Sequence, residues 1–105
     1  MCEIYAGTDP ADYEPTTRSV RLHRVVTSIR LENRFWALIE RMAAEAGMST
    51  PRYLETLYDE VLERRGEVRN FASLLRVAAT TYLVKQGNLD PGLLGASAEV
   101  YRSAA

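Results

Sequence analysis

Polar and apolar residues alternate in two short pieces near the start of the chain. Ser19-Val20-Arg21-Leu22-His23 alternates once, and Ser28-Ile29-Arg30-Leu31 alternates again, with β-branched Val25, Val26 and Thr27 before it. Alternation of period two, rich in β-branched residues, predicts extended chain. The two pieces are out of phase: Val20 and Leu22 are even-numbered, Ile29 and Leu31 odd. In one continuous strand those pairs would point to opposite faces. A bend or bulge near His23–Arg24 reconciles them.

The period then changes to that of a helix. Phe35, Leu38, Ile39, Met42, Ala43 and Ala46 form one apolar stripe, started by Glu32 or Asn33 and ended by Gly47, a residue suited to a left-handed C′ position. Trp36 lies off this stripe, which predicts a place at a dimer rim. Ser49 or Thr50 caps a second helix, and Pro51 fits its first turn, where a missing N–H costs nothing. Leu54, Leu57, Tyr58, Val61 and Leu62 are its stripe and Gly66 its stop. Asn70 caps a third helix with Phe71, Leu74, Leu75, Ala78 and Tyr82 on one side and Gly87 at its end. Residues 1–17, with Gly7, Pro10 and Pro15, read as an extended arm. Residues 87–105, with Pro91, Gly92 and Gly95, read as a loosely ordered tail with a helical turn over 98–102. No internal repeat stands out.

A lone strand has no partner within the chain for its ladder hydrogen bonds, unless residues 18–23 fold back on it. One strand and two helices make about 40 residues, near the size below which staples or oligomerisation are needed. Two copies that pair strands antiparallel and interlock helices would meet both needs. The expected fold class is therefore mainly α, with one β-strand per chain, an intermolecular antiparallel two-stranded ribbon and a third helix. The expected units are an arm at 1–17, a core at 18–66, a third helix at 67–86 packing on the core, and a tail at 87–105.

Composition excludes more than it selects. Within 105 residues there is one Cys and one His, so there is no Cys/His cluster for zinc and little material for a nucleophile–base pair. No metal, no cofactor and no enzyme activity are expected. No apolar run approaches the roughly 18 residues of a membrane span, and the acidic start is not a secretory signal; the expected location is the cytoplasm. Cys2 is then a reducible surface thiol. The net charge is −1, but it is unevenly spread. Residues 1–17 carry Glu3, Asp9, Asp12 and Glu14 without a base, whereas residues 18–31 carry Arg18, Arg21, Arg24 and Arg30 without an acid. A basic segment beside an acidic arm suggests a surface that meets an anion, or a solvated face with chance clustering.

The residues from about Val26 to Val61 resemble the ribbon-helix-helix (Arc/MetJ-type) DNA-binding family. The resemblance is carried by Thr27-Ser28-Ile29-Arg30-Leu31, by Phe35-Trp36, Ile39 and Ala43, by Gly47-Met48-Ser49, and by Leu54 with Leu57. Asn70-Phe71-Ala72-Ser73-Leu74-Leu75-Arg76 resembles the third helix of a longer bacterial subgroup. The resemblance implies a homodimer whose ribbon enters the major groove of double-stranded DNA, where base edges carry a distinguishable code. Val26, Ser28 and Arg30 would face the bases: Arg30 as a donor pair to guanine, Ser28 as donor or acceptor, Val26 against a thymine methyl. Ser49 and Thr50, at the positive end of the second helix, with Arg52 and Arg24, would hold phosphates. Ile29, Leu31, Phe35, Leu38, Leu54 and Leu57 would form the dimer core.

Some features pull the other way. The isoelectric point is about 5.8, low for a DNA binder. Glu32 would repel phosphate if it faced the groove, Val26 cannot hydrogen-bond, and Pro51 removes one helix-end donor. His23 reads as structural or solvated rather than as a phosphate contact. The expected function is a small, sequence-specific transcriptional regulator, a repressor by operator occupancy. The alternative is a dimeric protein-interaction module, antitoxin-like or structural, that recruits a partner through its C-terminal region and does not read DNA.

Overall fold

The phase change at His23–Arg24 is a hairpin turn. Both residues have positive φ, 54° and 70°, the signature of a two-residue turn whose twist matches that of its flanking strands. Histidine tolerates the left-handed region better than most residues, so the turn forms without glycine. In this computed structural model, which describes Glu3–Ala104, the turn joins β1 (Pro15–Leu22) to β2 (Val25–Glu32) as an antiparallel pair. Met1, Cys2 and Ala105, and with them the expected surface thiol, lie outside the described residues.

The hairpin corrects two expectations. The chain has two strands where one was expected, and the ribbon expected from two chains is made by one. The register runs from Pro15 opposite Glu32 to Leu22 opposite Val25, with Ser19 opposite Ser28. The physical reason is the turn: two residues suffice to reverse the chain, so the segment before His23 supplies the ladder partner that the lone strand lacked. The arm also differs from expectation. Glu3–Ala6 (α1) and Pro10–Tyr13 (α2) are single helical turns, and residues 15–17 already belong to β1. Asp9 caps α2 by accepting from the Ala11 N–H.

β2 runs straight into α3 (Asn33–Glu45), followed by α4 (Thr50–Arg65) and α5 (Phe71–Gln86). Gly47 and Gly66 take the left-handed conformation at the ends of α3 and α4, with φ of 71° and 78°. Ser49 and Asn70 cap α4 and α5 through the Arg52 and Ser73 N–H groups. The tail is more helical than expected: 3₁₀ turns over Pro91–Ser97, kinked at Gly95 (φ 59°, ψ −131°), lead into α6 (Ala98–Ala104), which contains the helical turn expected over 98–102, and Ala98 is buried. Asp90 starts that stretch by accepting from the Gly92 N–H, a local hydrogen bond that the Pro-Gly composition concealed.

The inner face of the hairpin, α3, α4 and α5 enclose one core. Val20 and Leu22 from β1 and Ile29 and Leu31 from β2 are buried together with Trp36, Ile39, Leu54, Leu75 and Ala79. Phe35, Leu38, Met42, Leu57 and Phe71 pack half-buried around it. Trp36 is therefore not at a rim: it is 2% exposed. Its indole N–H donates to the Thr16 carbonyl at 2.8 Å, and the Arg18 guanidinium lies 4.4 Å from its ring centroid. The stripe of α3 centres on Trp36, Ile39 and Ala43, because β1 covers the side that a single-stranded chain would leave open. Asn33 and Arg34 then tie α2 to the start of α3: Asn33 Nδ2 donates to the Ala11 carbonyl and Arg34 pairs with Asp12 at 3.0 Å.

Candidate nucleic-acid interface

Alternation along the hairpin sorts its side chains by chemistry. The inner face takes Val20, Leu22, Ile29 and Leu31. The outer face takes Thr17, Ser19 and Arg21 from β1 and Val26, Ser28 and Arg30 from β2, all exposed. Across the ladder, Thr17 lies opposite Arg30, Ser19 opposite Ser28, and Arg21 opposite Val26. This face carries two guanidiniums, three hydroxyls and one apolar side chain, Val26, which is 61% exposed.

The arginines of the basic segment divide into two groups. Arg18 is drawn inward, stacked on Trp36 and paired with Glu40 at 3.2 Å. Among the described residues Arg21, Arg24 and Arg30 pair with no carboxylate. The acid that shares the parity of Arg30 is Glu32, at the open end of the hairpin. Arg76 of α5 reaches it, Nε donating to Oε1 at 2.8 Å, while Arg76 Nη2 donates to the Arg30 carbonyl at 3.4 Å. The hydrogen bond from Arg76 holds the Glu32 carboxyl below its ordinary value of 4.5, helped by its own backbone N–H and opposed by desolvation. Glu32 is thus charged but neutralised locally, so its repulsion of a phosphate is largely cancelled.

The expected phosphate set falls in two places. Ser49, Thr50 and Arg52 stand together at the N-terminus of α4, where Pro51 lacks an N–H and the Ser49 hydroxyl accepts from Arg52 N at 3.3 Å. Ser49 therefore caps the helix, and its hydroxyl proton remains free to donate. Arg24 is at the hairpin tip. That tip is held to the middle of α4, with His23 Nδ1 3.0 Å from Asp59 Oδ1 and the His23 and Tyr58 rings 6.4 Å apart. Asp59 and Arg52 are seven residues apart, about 10 Å along the axis at 1.5 Å per residue. Of the six expected dimer-core residues, Ile29, Leu31 and Leu54 are buried and Phe35, Leu38 and Leu57 half-buried, all within one chain.

Sequence reasoning missed Thr17, Ser19 and Arg21 as members of the outer face. A signal was present. Ser19-Val20-Arg21-Leu22 and Ser28-Ile29-Arg30-Leu31 are the same tetrad with one conservative change, a repeat that becomes visible once the strands are paired. Asp59 and Arg76, which hold the tip and the open end, left no comparable signal, because each acts across more than 30 residues. Among the described residues no group of three or more His, Cys, Asp or Glu gathers as a metal site, and no helix is long and apolar enough to cross a membrane.

A two-stranded antiparallel ribbon with a polar outer face, feeding directly into a pair of helices joined at a glycine turn, defines the class: a ribbon-helix-helix fold, the architecture of DNA-binding regulators. The chain belongs to the ribbon-helix-helix domain family, whose model matches residues 15–83. Among solved structures it is similar to an uncharacterized protein from Bordetella pertussis Tohama I. That match has 44% identity and a TM-score of 0.81, and it covers 93% of this chain and 76% of the other. No curated protein matches the chain.

Proposed function

We propose that this chain is a sequence-specific DNA-binding transcriptional regulator that lays its hairpin in the major groove. The observation that carries the reading is the outer face of the hairpin, where unpaired guanidiniums and hydroxyls project from a strand pair narrow enough for the groove. Val26, Ser28 and Arg30 are assigned to base edges. Arg24, Arg52 and the α4 terminus at Ser49 and Thr50 are assigned to phosphates, which position the protein without specifying sequence. Repression would follow from occupancy of an operator in the cytoplasm. The acidic isoelectric point is compatible with this, since the local field within a Debye length sets attraction to phosphate. Neither a lone strand nor an undersized core now calls for a homodimer, because one chain pairs its own strand and closes its own core. A homodimer would serve to place two ribbons on adjacent half-sites.

The test is a titration of the full chain against genomic fragments and then against a selected site, at several salt concentrations. A site preference above non-specific binding is expected. Arg30→Ala should relax the preference at the base it reads, at a cost of about 1–3 kcal/mol. Arg24→Ala or Arg52→Ala should weaken binding to all sequences and flatten the salt dependence. Binding with no preference at any salt would remove the regulator reading.

One observation favours the second reading, a protein-interaction module. α5 is apolar on more sides than its core contacts use: Leu75 and Ala79 are buried, while Val77 and Leu83 remain 61% and 45% exposed. The same titration separates the two readings, since an interaction module would show no DNA preference.

A further inference from the structure

The tetrads Ser19-Val20-Arg21-Leu22 and Ser28-Ile29-Arg30-Leu31 lie in the two strands, and Ser19 sits opposite Ser28. An antiparallel pair has a local two-fold axis through the midpoint of two opposed residues. Placed between Ser19 and Ser28, that axis carries Val20 onto Ile29, Arg21 onto Arg30 and Leu22 onto Leu31. Burial obeys the same symmetry. Val20 and Ile29 are buried to 5% and 3% exposure, Leu22 and Leu31 to 4% and 0%, and both serines and both arginines are exposed. The symmetry is broken at the preceding positions, where Thr17 corresponds to Val26 and Arg18 to Thr27.

Resting on the DNA-binding reading above, we infer that one chain is a complete pseudo-two-fold reading head, in which Arg21 is a specificity residue equivalent to Arg30. Its ligand is a short duplex DNA element of approximate inverted symmetry. Duplex DNA has two-fold axes perpendicular to its length, so a ribbon aligned on one of them repeats each contact on the opposite strand. The geometry sets the spacing. Arg21 and the residue opposite Arg30, Thr17, are four positions apart on β1, about 13 Å at 3.3 Å per residue. That matches about four base-pair steps at roughly 3.4 Å each. Two guanines on opposite strands, about four steps apart, are the chemistry that two bidentate guanidiniums would select. Ser19 and Ser28, at the centre, donate or accept at the intervening edges. The mismatched pair Thr17 and Val26 makes the two flanks unequal, one with a hydroxyl and one that favours a thymine methyl.

The experiment is selection from a random duplex library with the full chain, followed by titration of the selected site with wild type, Arg21→Ala and Arg30→Ala. Both arginines are exposed and, among the described residues, without carboxylate partners, so each variant should fold, as circular dichroism would verify. Wild type is expected to select a G·C pair at both ends of the element and to saturate at one chain per element. Arg21→Ala should lose the preference at one end and Arg30→Ala at the other, each with about a 5- to 150-fold loss of affinity, the range of one bidentate arginine–guanine contact. If Arg21→Ala leaves both ends of a real preference intact, the inference is overturned while the DNA-binding reading stands. If both variants erase the same end, it is likewise overturned. If wild type selects nothing, the DNA-binding reading itself falls, and the inference with it.

Discussion

β1 and β2 carry the same tetrad, yet they play different parts in the molecule. β2 is continuous with α3, so its inward Ile29 and Leu31 are carried directly onto the helix pair. β1 has no such continuation. The turn holds one end of it, and Trp36 Nε1, donating to the Thr16 carbonyl, holds the other. The Asn33–Ala11 hydrogen bond secures α2 just before it. The arginines differ in the same way. Arg18 of β1 is held against the chain's own body, over Trp36 and beside Glu40, whereas β2 has Thr27 at the equivalent place. One local pattern can thus be used twice by a fold. Alternation sets which side chains face in, and the flanking connections decide which strand is anchored by the backbone and which by its side chains.

The largest effect should come from breaking that equivalence in the core. Leu22→Ala and Leu31→Ala each remove a buried leucine, and each is expected to cost about 2–5 kcal/mol in urea unfolding, with Leu31→Ala at the upper end. A cost near zero for Leu22→Ala would mean that β1 is an undocked arm. Trp36→Phe comes next. It deletes the hydrogen bond to Thr16 and weakens the stacking of Arg18, so a loss of about 1–3 kcal/mol is expected, together with faster amide exchange in β1 than in β2. Equal exchange in the two strands would contradict the anchoring role given to Trp36.

Much of this was legible before the structure. The inward set of β2, a cap at Ser49 or Thr50 (Ser49 in the structure), the left-handed Gly47 and the N-cap Asn70 follow from residue types whose roles are local. What stayed open was a partner choice, with the fold-back of residues 18–23 only the exception. The turn at His23–Arg24 lacks the Asn-Gly or Asp-Gly that marks most two-residue hairpins, so the out-of-phase strand looked like a bend in one strand. Trp36 was misplaced for the same reason: off the stripe of an isolated helix, it is on the side that β1 covers. The outer face was half legible, since Ser28 and Arg30 follow from parity alone but Ser19 and Arg21 require the register.

The turn offers a third, smaller test, in the stabilising direction. A non-glycine residue in the left-handed region costs roughly 1–2 kcal/mol. Replacing His23 by Asn and Arg24 by Gly should therefore raise stability by about 1 kcal/mol, offset in part by loss of the His23–Asp59 contact. A fall in melting temperature would mean that the contact with Asp59, not the turn geometry, holds the tip. The smallest effect concerns the open end. The Glu32 carboxyl is held below its ordinary value by Arg76, so its contribution is present above pH 4.5 and is lost as pH falls through the lowered value. Both side chains are about one-third exposed, which limits the contribution to about 0.2–1 kcal/mol. Arg76→Gln should lower stability at neutral pH by that amount and flatten the acid limb below pH 4.5. An unchanged acid limb would exclude the pair as its source.

A single chain builds the whole ribbon. An isotope-filtered NMR experiment on a mixture of ¹³C-labelled and unlabelled protein tests this directly, because it separates contacts within a chain from contacts between chains. Cross-strand contacts between Ser19 and Ser28 are expected within one labelled chain, with no β2-to-β2 contact between labelled and unlabelled chains. Intermolecular contacts from β2 of one chain to β2 of another, with Ser19 and Ser28 silent towards each other, would contradict it.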